Sequence, residues 1–170
     1  MQAFLDWDER VSRGMRVAER PGAVRTVAAV LAHSGDSWFW LLGLVAAWWW
    51  LPAHRNCIAI VMASVVVTAA LVLALKFTFR RRRPEGAWGA IYRATDPHSF
   101  PSGHAARAVL LAVLAWGLCP VWVAVLLTVW APLVALARVA MGVHYLSDVL
   151  AGALVGLLMG WATLALASLV

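Results

Sequence analysis

Apolar and polar positions in this chain fall into blocks. Residues 37–53, 56–76, 103–119, 120–137 and 149–170 are nearly unbroken apolar runs. About 20 apolar residues suffice to cross the hydrocarbon core of a bilayer. The runs therefore predict five transmembrane helices, with Trp38 and Trp40 at one end of the first and Trp48, Trp49 and Trp50 at the other, as in interfacial aromatic belts. Residues 3–20 follow a different rhythm. Phe4, Trp7, Val11, Met15 and Ala18 recur at helical spacing, and charges fill the opposite face. Eight of those charges, from Asp6 to Arg20, forbid crossing, since each costs about 2.5–3.5 kcal/mol near the bilayer centre. Residues 23–32 are apolar apart from Arg25 and Thr26, and too short to span. The expected architecture is all-α: residues 1–34 form an amphipathic interfacial segment, and residues 35–170 form a transmembrane domain of about five spans.

Composition agrees with this reading. Of 170 residues, 64% are hydrophobic and 13% charged, which fits one membrane-embedded domain. The net charge of +6 does not point to nucleic acid, because the cations cluster at helix ends. Cys57 and Cys119 sit in or beside apolar runs and imply neither a ligand set nor a disulfide. The first 20 residues are too charged to contain the apolar core of a signal peptide.

Two polar segments, 77–102 and 138–148, are separated by two spans. Parity places them on one side of the membrane, where their polar groups can meet. Lys76, Arg83 and Arg138 then supply three cations; arginine's planar fork matches phosphate oxygens, and lysine adds a point charge. Ser102 and Gly103 precede a helix start, a natural anion site. A dense anion, phosphate above carboxylate, is the expected ligand. His144 and Asp148 stand four apart, so a carboxylate can orient the imidazole as nucleophile, with His104 left as general acid for the leaving oxygen. Single residues of this kind at an interface are commonly snorkelling or capping groups. Three clusters of them together are a functional site. No acidic pair accompanies the histidines, so neither a metal nor a cofactor is expected.

These clusters, "KFTFRRRRP" at 76–84, "PSGH" at 101–104 and "ARVAMGVHYLSD" at 137–148, resemble the three-part signature of the type 2 phosphatidic acid phosphatase superfamily. That signature is Lys-x6-Arg-Pro, Pro-Ser-Gly-His and Ser-Arg-x5-His-x3-Asp. The resemblance implies a metal-independent membrane lipid phosphatase working through a phosphohistidine. His144, His104 and Asp148 would be catalytic, and Lys76, Arg83, Ser102, Gly103 and Arg138 would bind phosphate. It further implies a bacterial inner-membrane protein with its site on the periplasmic or extracellular side; with five spans and the interfacial helix on that side, the C-terminus is expected in the cytoplasm. Candidate substrates are a polyprenyl pyrophosphate or a phospholipid such as phosphatidylglycerophosphate or phosphatidic acid. Transfer of phosphate to another lipid, and non-catalytic binding of anionic lipid, are the alternatives. Ala137 stands where the signature has Ser, removing one hydroxyl donor. Arg80, Arg81 and Arg82 exceed the signature and are expected to form a basic approach surface for anionic headgroups.

Overall fold

The computed structural model describes residues 2–86, 88 and 96–168. Among the described residues seven α-helices are defined: α1 Gln2–Gly14, α2 Ala23–His33, α3 Ser37–Trp50, α4 Arg55–Phe79, α5 Gly103–Leu118, α6 Val121–Ala140 and α7 Leu146–Ala167. A single 3-10 turn, Pro52–His54, joins α3 to α4. No strand occurs among the described residues; Arg82 and His98 form an isolated bridge.

Among the described residues, three segments are long and apolar enough to cross a membrane: the 3-10 turn with α4, then α6, then α7. Here α3, with 14 residues, and α5, with 16, are shorter than the spans expected of them. Proline explains both stops. Leu51 leaves the helical region immediately before Pro52, and Cys119 is extended immediately before Pro120. The last two residues of the fifth expected span, 169–170, lie outside the described residues.

At the centre is α5, whose buried side chains run from Ala105 to Ala115. Against it α7 lays Gly152, Gly156 and Gly160, a small-residue stripe at four-residue spacing. A Cβ at Gly152 or Gly156 would collide with the carbonyl of Ser102 or Ala106, so the two backbones meet directly. The outer surface is apolar, with Trp49, Trp50, Leu42, Val125, Leu126, Leu154 and Trp161 exposed. Such a surface suits lipid, which removes any penalty for exposed apolar side chains.

The first helix is built inside out relative to a helix on a soluble protein. Its apolar Phe4 and Trp7 point away from the bundle, while its polar Asp8 and Ser12 are fully buried. The reason lies at the start of α7, whose first backbone N–H groups have no partner within their own helix. Ser12 Oγ accepts from the Leu146 N–H at 2.8 Å, and Asp8 Oδ1 accepts from the Ser147 N–H at 3.0 Å. Thus α1 caps α7 from outside. In turn α2 packs on the end of α6 and the turn after it, through Ala28 and Ala32 against Ala137, Met141 and Val143.

Candidate active site

The site lies at the end of the bundle where α4 and α6 finish and α3, α5 and α7 begin. In the last turn of α4, Lys76 is buried and donates to the His98 carbonyl at 2.9 Å. After Phe79 the chain turns sharply through Arg80, a non-glycine residue at φ 47°. That turn brings Arg83 back under the helix ends. Arg83 Nη1 donates to the Val143 carbonyl at 2.9 Å and lies 3.3 Å from His144 Nε2. This contact joins the two polar segments that parity placed on one side. Buried Arg138 comes from the last turn of α6, and Gly103 and His104 from the first turn of α5.

Lys76, Arg83, Arg138, Gly103, His104 and His144 line one recess of about 250 Å³, closed on its apolar side by Ala69, Val72 and Leu73 of α4. Asp96 extends into it. Its carboxylate contacts Lys76 Nζ and accepts from Arg83 Nη2 at 2.8 Å. Burial raises the pKa of this carboxyl, but the hydrogen bond and charge of Lys76, with Arg83 and His144 beside it, bring it below the usual carboxylate value. An internal anion therefore sits between two of the cradle cations.

His144 is 1% exposed. Burial, followed by the charges of Arg138, Arg83 and Lys76, lowers its pKa well below 6.5, so the imidazole is neutral near pH 7. Its Nδ1 lies 3.5 Å from Asp148 Oδ2, an orienting contact longer than a hydrogen bond, and Nε2 faces the cations. Asp148 is held firmly. Oδ2 accepts from the Tyr145 N–H at 2.9 Å, Oδ1 accepts from Arg81 Nη1 at 2.7 Å, and its carbonyl accepts from the Ser102 N–H at 2.9 Å.

The Arg81 contact corrects the reading of the arginine run. Arg80 and Arg82 are exposed, whereas Arg81 reaches inward. Its Nη1 also donates to Ser147 Oγ at 2.6 Å, its Nη2 donates to Asp8 Oδ2 at 2.7 Å, and its guanidinium stacks 4.0 Å over the Tyr145 ring. One cation thus neutralises two buried carboxylates, one on α1 and one on α7. Nothing local in "RRRR" distinguishes it, because Asp8 is far away in the chain.

Ser102 lies behind the recess. It is fully buried, its N–H is bound to Asp148, and its Oγ caps α5 by accepting from the Ala105 N–H. Residue 137 faces α2, where Ala137 packs among Ala18, Ala28 and Ala32; a hydroxyl there would meet an apolar interface. His104 has a partner that the sequence did not suggest. Its Nε2 is 2.7 Å from Asp36 Oδ1, across 68 residues of chain. Asp36 stands at the N-cap position of α3 but makes no side-chain cap bond to it. Among the described residues no group of three or more His, Cys, Asp or Glu is placed to hold a metal.

Three buried cations thus share one recess with two histidines, in a helical bundle with an apolar exterior. The PAP2 superfamily profile matches residues 57–169, and the chain belongs to that superfamily. It is 33% identical over 150 residues to decaprenylphosphoryl-5-phosphoribose phosphatase of Mycobacterium tuberculosis, covering 85% of this chain and 80% of that one. Its fold is similar to that of the transmembrane PAP2-type phosphatidylglycerolphosphate phosphatase of Bacillus subtilis, with TM-score 0.83, 25% identity, and coverage of 100% of this chain and 89% of that one. It also shares the fold of Aquifex aeolicus LpxE, with TM-score 0.74, 22% identity, and coverage of 92% and 93%.

Proposed function

We propose that this protein is an integral membrane phosphatase that removes a terminal phosphate from a lipid through a phosphohistidine at His144. The observation that carries the reading is the shared recess, in which Lys76, Arg83 and Arg138 surround a neutral His144 with His104 across from it. The three cations hold the phosphate oxygens and offset the charge that develops in the transition state. Nε2 of His144 attacks phosphorus as the bond to the lipid oxygen breaks, and His104 gives that oxygen a proton. Asp148 orients the attacking ring. Water then attacks the phosphohistidine, the N–P bond breaks, inorganic phosphate leaves, and the water proton returns to His104. Asp96 yields its place between Lys76 and Arg83 to the incoming phosphate.

The substrate class proposed first is a polyprenyl-linked phosphate, following the mycobacterial relative; a phospholipid phosphomonoester is second. α3 and α5 complete five spans with α4, α6 and α7. The first helix lies in the interface at the site's own end of the bundle, with Phe4 and Trp7 in lipid, and that end faces the periplasm or exterior of a bacterial inner membrane. The test is phosphate release by purified protein from a panel of polyprenyl-linked and phospholipid phosphates, with and without chelator. Release from at least one member in excess chelator is expected. Absence of release from every lipid, or transfer of phosphate to a second lipid in place of water, overturns the reading.

A further inference from the structure

His104 has a demanding position for a proton donor. Arg107 on its own helix and Arg138 on α6 face it, and Lys76, Arg83 and His144 line the same recess. Asp96 extends into that recess from the connection before α5. A ring that must carry protons on both nitrogens among so many cations requires a negative partner.

Asp36 is that partner in place and in charge. Its Oδ1 lies 2.7 Å from His104 Nε2, and both side chains are largely buried, at 19% and 18% exposure. Its Oδ2 accepts from Trp38 Nε1 at 3.3 Å and lies 3.1 Å from His33 Nδ1. Burial opposes its charge, but the contacts with His104 and His33 hold its pKa below the usual carboxylate range, so it is an anion. The short connection that carries it is pinned from three helices. Trp40 of α3 donates to the Ser34 carbonyl and Trp130 of α6 to Ser34 Oγ, both at 2.8 Å. Arg107 of α5, three residues after His104, donates to the Gly35 carbonyl. A side chain at Gly35 would stand 2.9 Å from Val134 Cγ1 and 3.4 Å from His104 Cδ2, so only glycine lets the connection approach this closely. Asp36 occupies the N-cap position of α3 yet leaves capping undone. Helix capping therefore does not account for its side chain, and the contact with His104 does.

We infer that Asp36 is the positioning residue of the general acid: it fixes His104 through Nε2 and supplies the charge that lets Nδ1 carry the proton destined for the lipid oxygen. This rests on His104 being the acid, as proposed above. In the forward step the Nδ1 proton moves to the departing oxygen as the N–P bond to His144 forms and the P–O bond breaks. In hydrolysis Nδ1 takes a proton back from water, and Nε2 keeps its own proton throughout, donated in a hydrogen bond to the Asp36 carboxylate.

The test compares two substrates in detergent micelles: an alkyl phosphomonoester, whose alkoxide must be protonated, and an aryl phosphate whose nitrophenolate needs no proton. Loss of a positioned acid costs roughly 10²–10⁴-fold on the poor leaving group. Asp36→Asn is expected to lower kcat/KM on the alkyl ester about 10–100-fold, a part of that range, and on the aryl ester less than about threefold. The basic limb of the alkyl pH profile should move to lower pH, orthovanadate binding should persist, and Asp36→Glu should restore part of the loss. Asp36→Asn added to His104→Ala should cost nothing further. Equal losses on both esters, an unmoved basic limb, or loss of orthovanadate binding would show a merely structural role and overturn the inference. If His104→Ala itself fails to discriminate between the esters, the acid assignment falls first, and the inference with it.

Discussion

The two histidines of the recess are each held by a carboxylate, but by opposite constructions. His144 and Asp148 are four residues apart, at and just inside the start of α7. His144 lies two residues before that helix, so their pairing is a local consequence of the turn into α7, where Asp148 reaches back to the Tyr145 N–H. His104 and Asp36 are joined across 68 residues, through a connection that two tryptophans and an arginine must pin. The local pair has the longer contact, 3.5 Å, and the long-range pair the shorter, 2.7 Å. Sequence proximity therefore does not rank the strength of a contact. It ranks how much tertiary structure is needed to make it.

The largest effect is expected at the local pair. His144→Ala removes the proposed nucleophile, and turnover should fall on the order of 10⁴-fold or more, with loss of acid-labile phosphoenzyme labelling. Near-normal turnover, or labelling that survives, would break the assignment of the two rings.

Next comes the support behind that pair. Arg81→Ala leaves Asp8 and Asp148 as buried carboxylates without their cation, an imbalance that typically costs about 3–5 kcal/mol. A thermal unfolding midpoint well below wild type in detergent is expected, together with reduced turnover. A variant as stable and active as the wild type would mean that the α1–α7 anchor does not stabilise the site.

The smallest effect should come from the neighbours in the same run. Arg80→Ala and Arg82→Ala remove exposed cations, worth about 1 kcal/mol or less each near an anionic surface. KM on vesicles rich in anionic lipid should change less than about fivefold, with unfolding midpoints unchanged. Losses equal to those of Arg81→Ala would erase the distinction between inward and outward arginines.

The three signature clusters were legible because each is nearly continuous in the chain, and the parity of apolar runs already placed them together. Arg81 was misread because its neighbours are identical residues and its carboxylate partner Asp8 belongs to a helix whose own pattern looked like a simple amphipath. Of the N-terminal apolar stripe, Phe4 and Trp7 are exposed, whereas Met15 packs on the core and Ala18 is buried, and the polar face gave no sign that Asp8 and Ser12 turn inward to cap another helix. Ala137 looked like a loss from the phosphate site, yet that position faces α2.

What the sequence determined by itself was the membrane class, the helical content and the convergence of Lys76, Arg83, Arg138, His104 and His144 on one recess. Apolar runs and closely spaced polar clusters follow from local chain geometry and from what a bilayer permits. The tertiary structure alone decided which arginine is buried, where helices stop short of the apolar runs, and that Asp36 meets His104. Those outcomes depend on how a buried charge finds its counter-charge across the fold, and no spacing within one segment encodes that pairing.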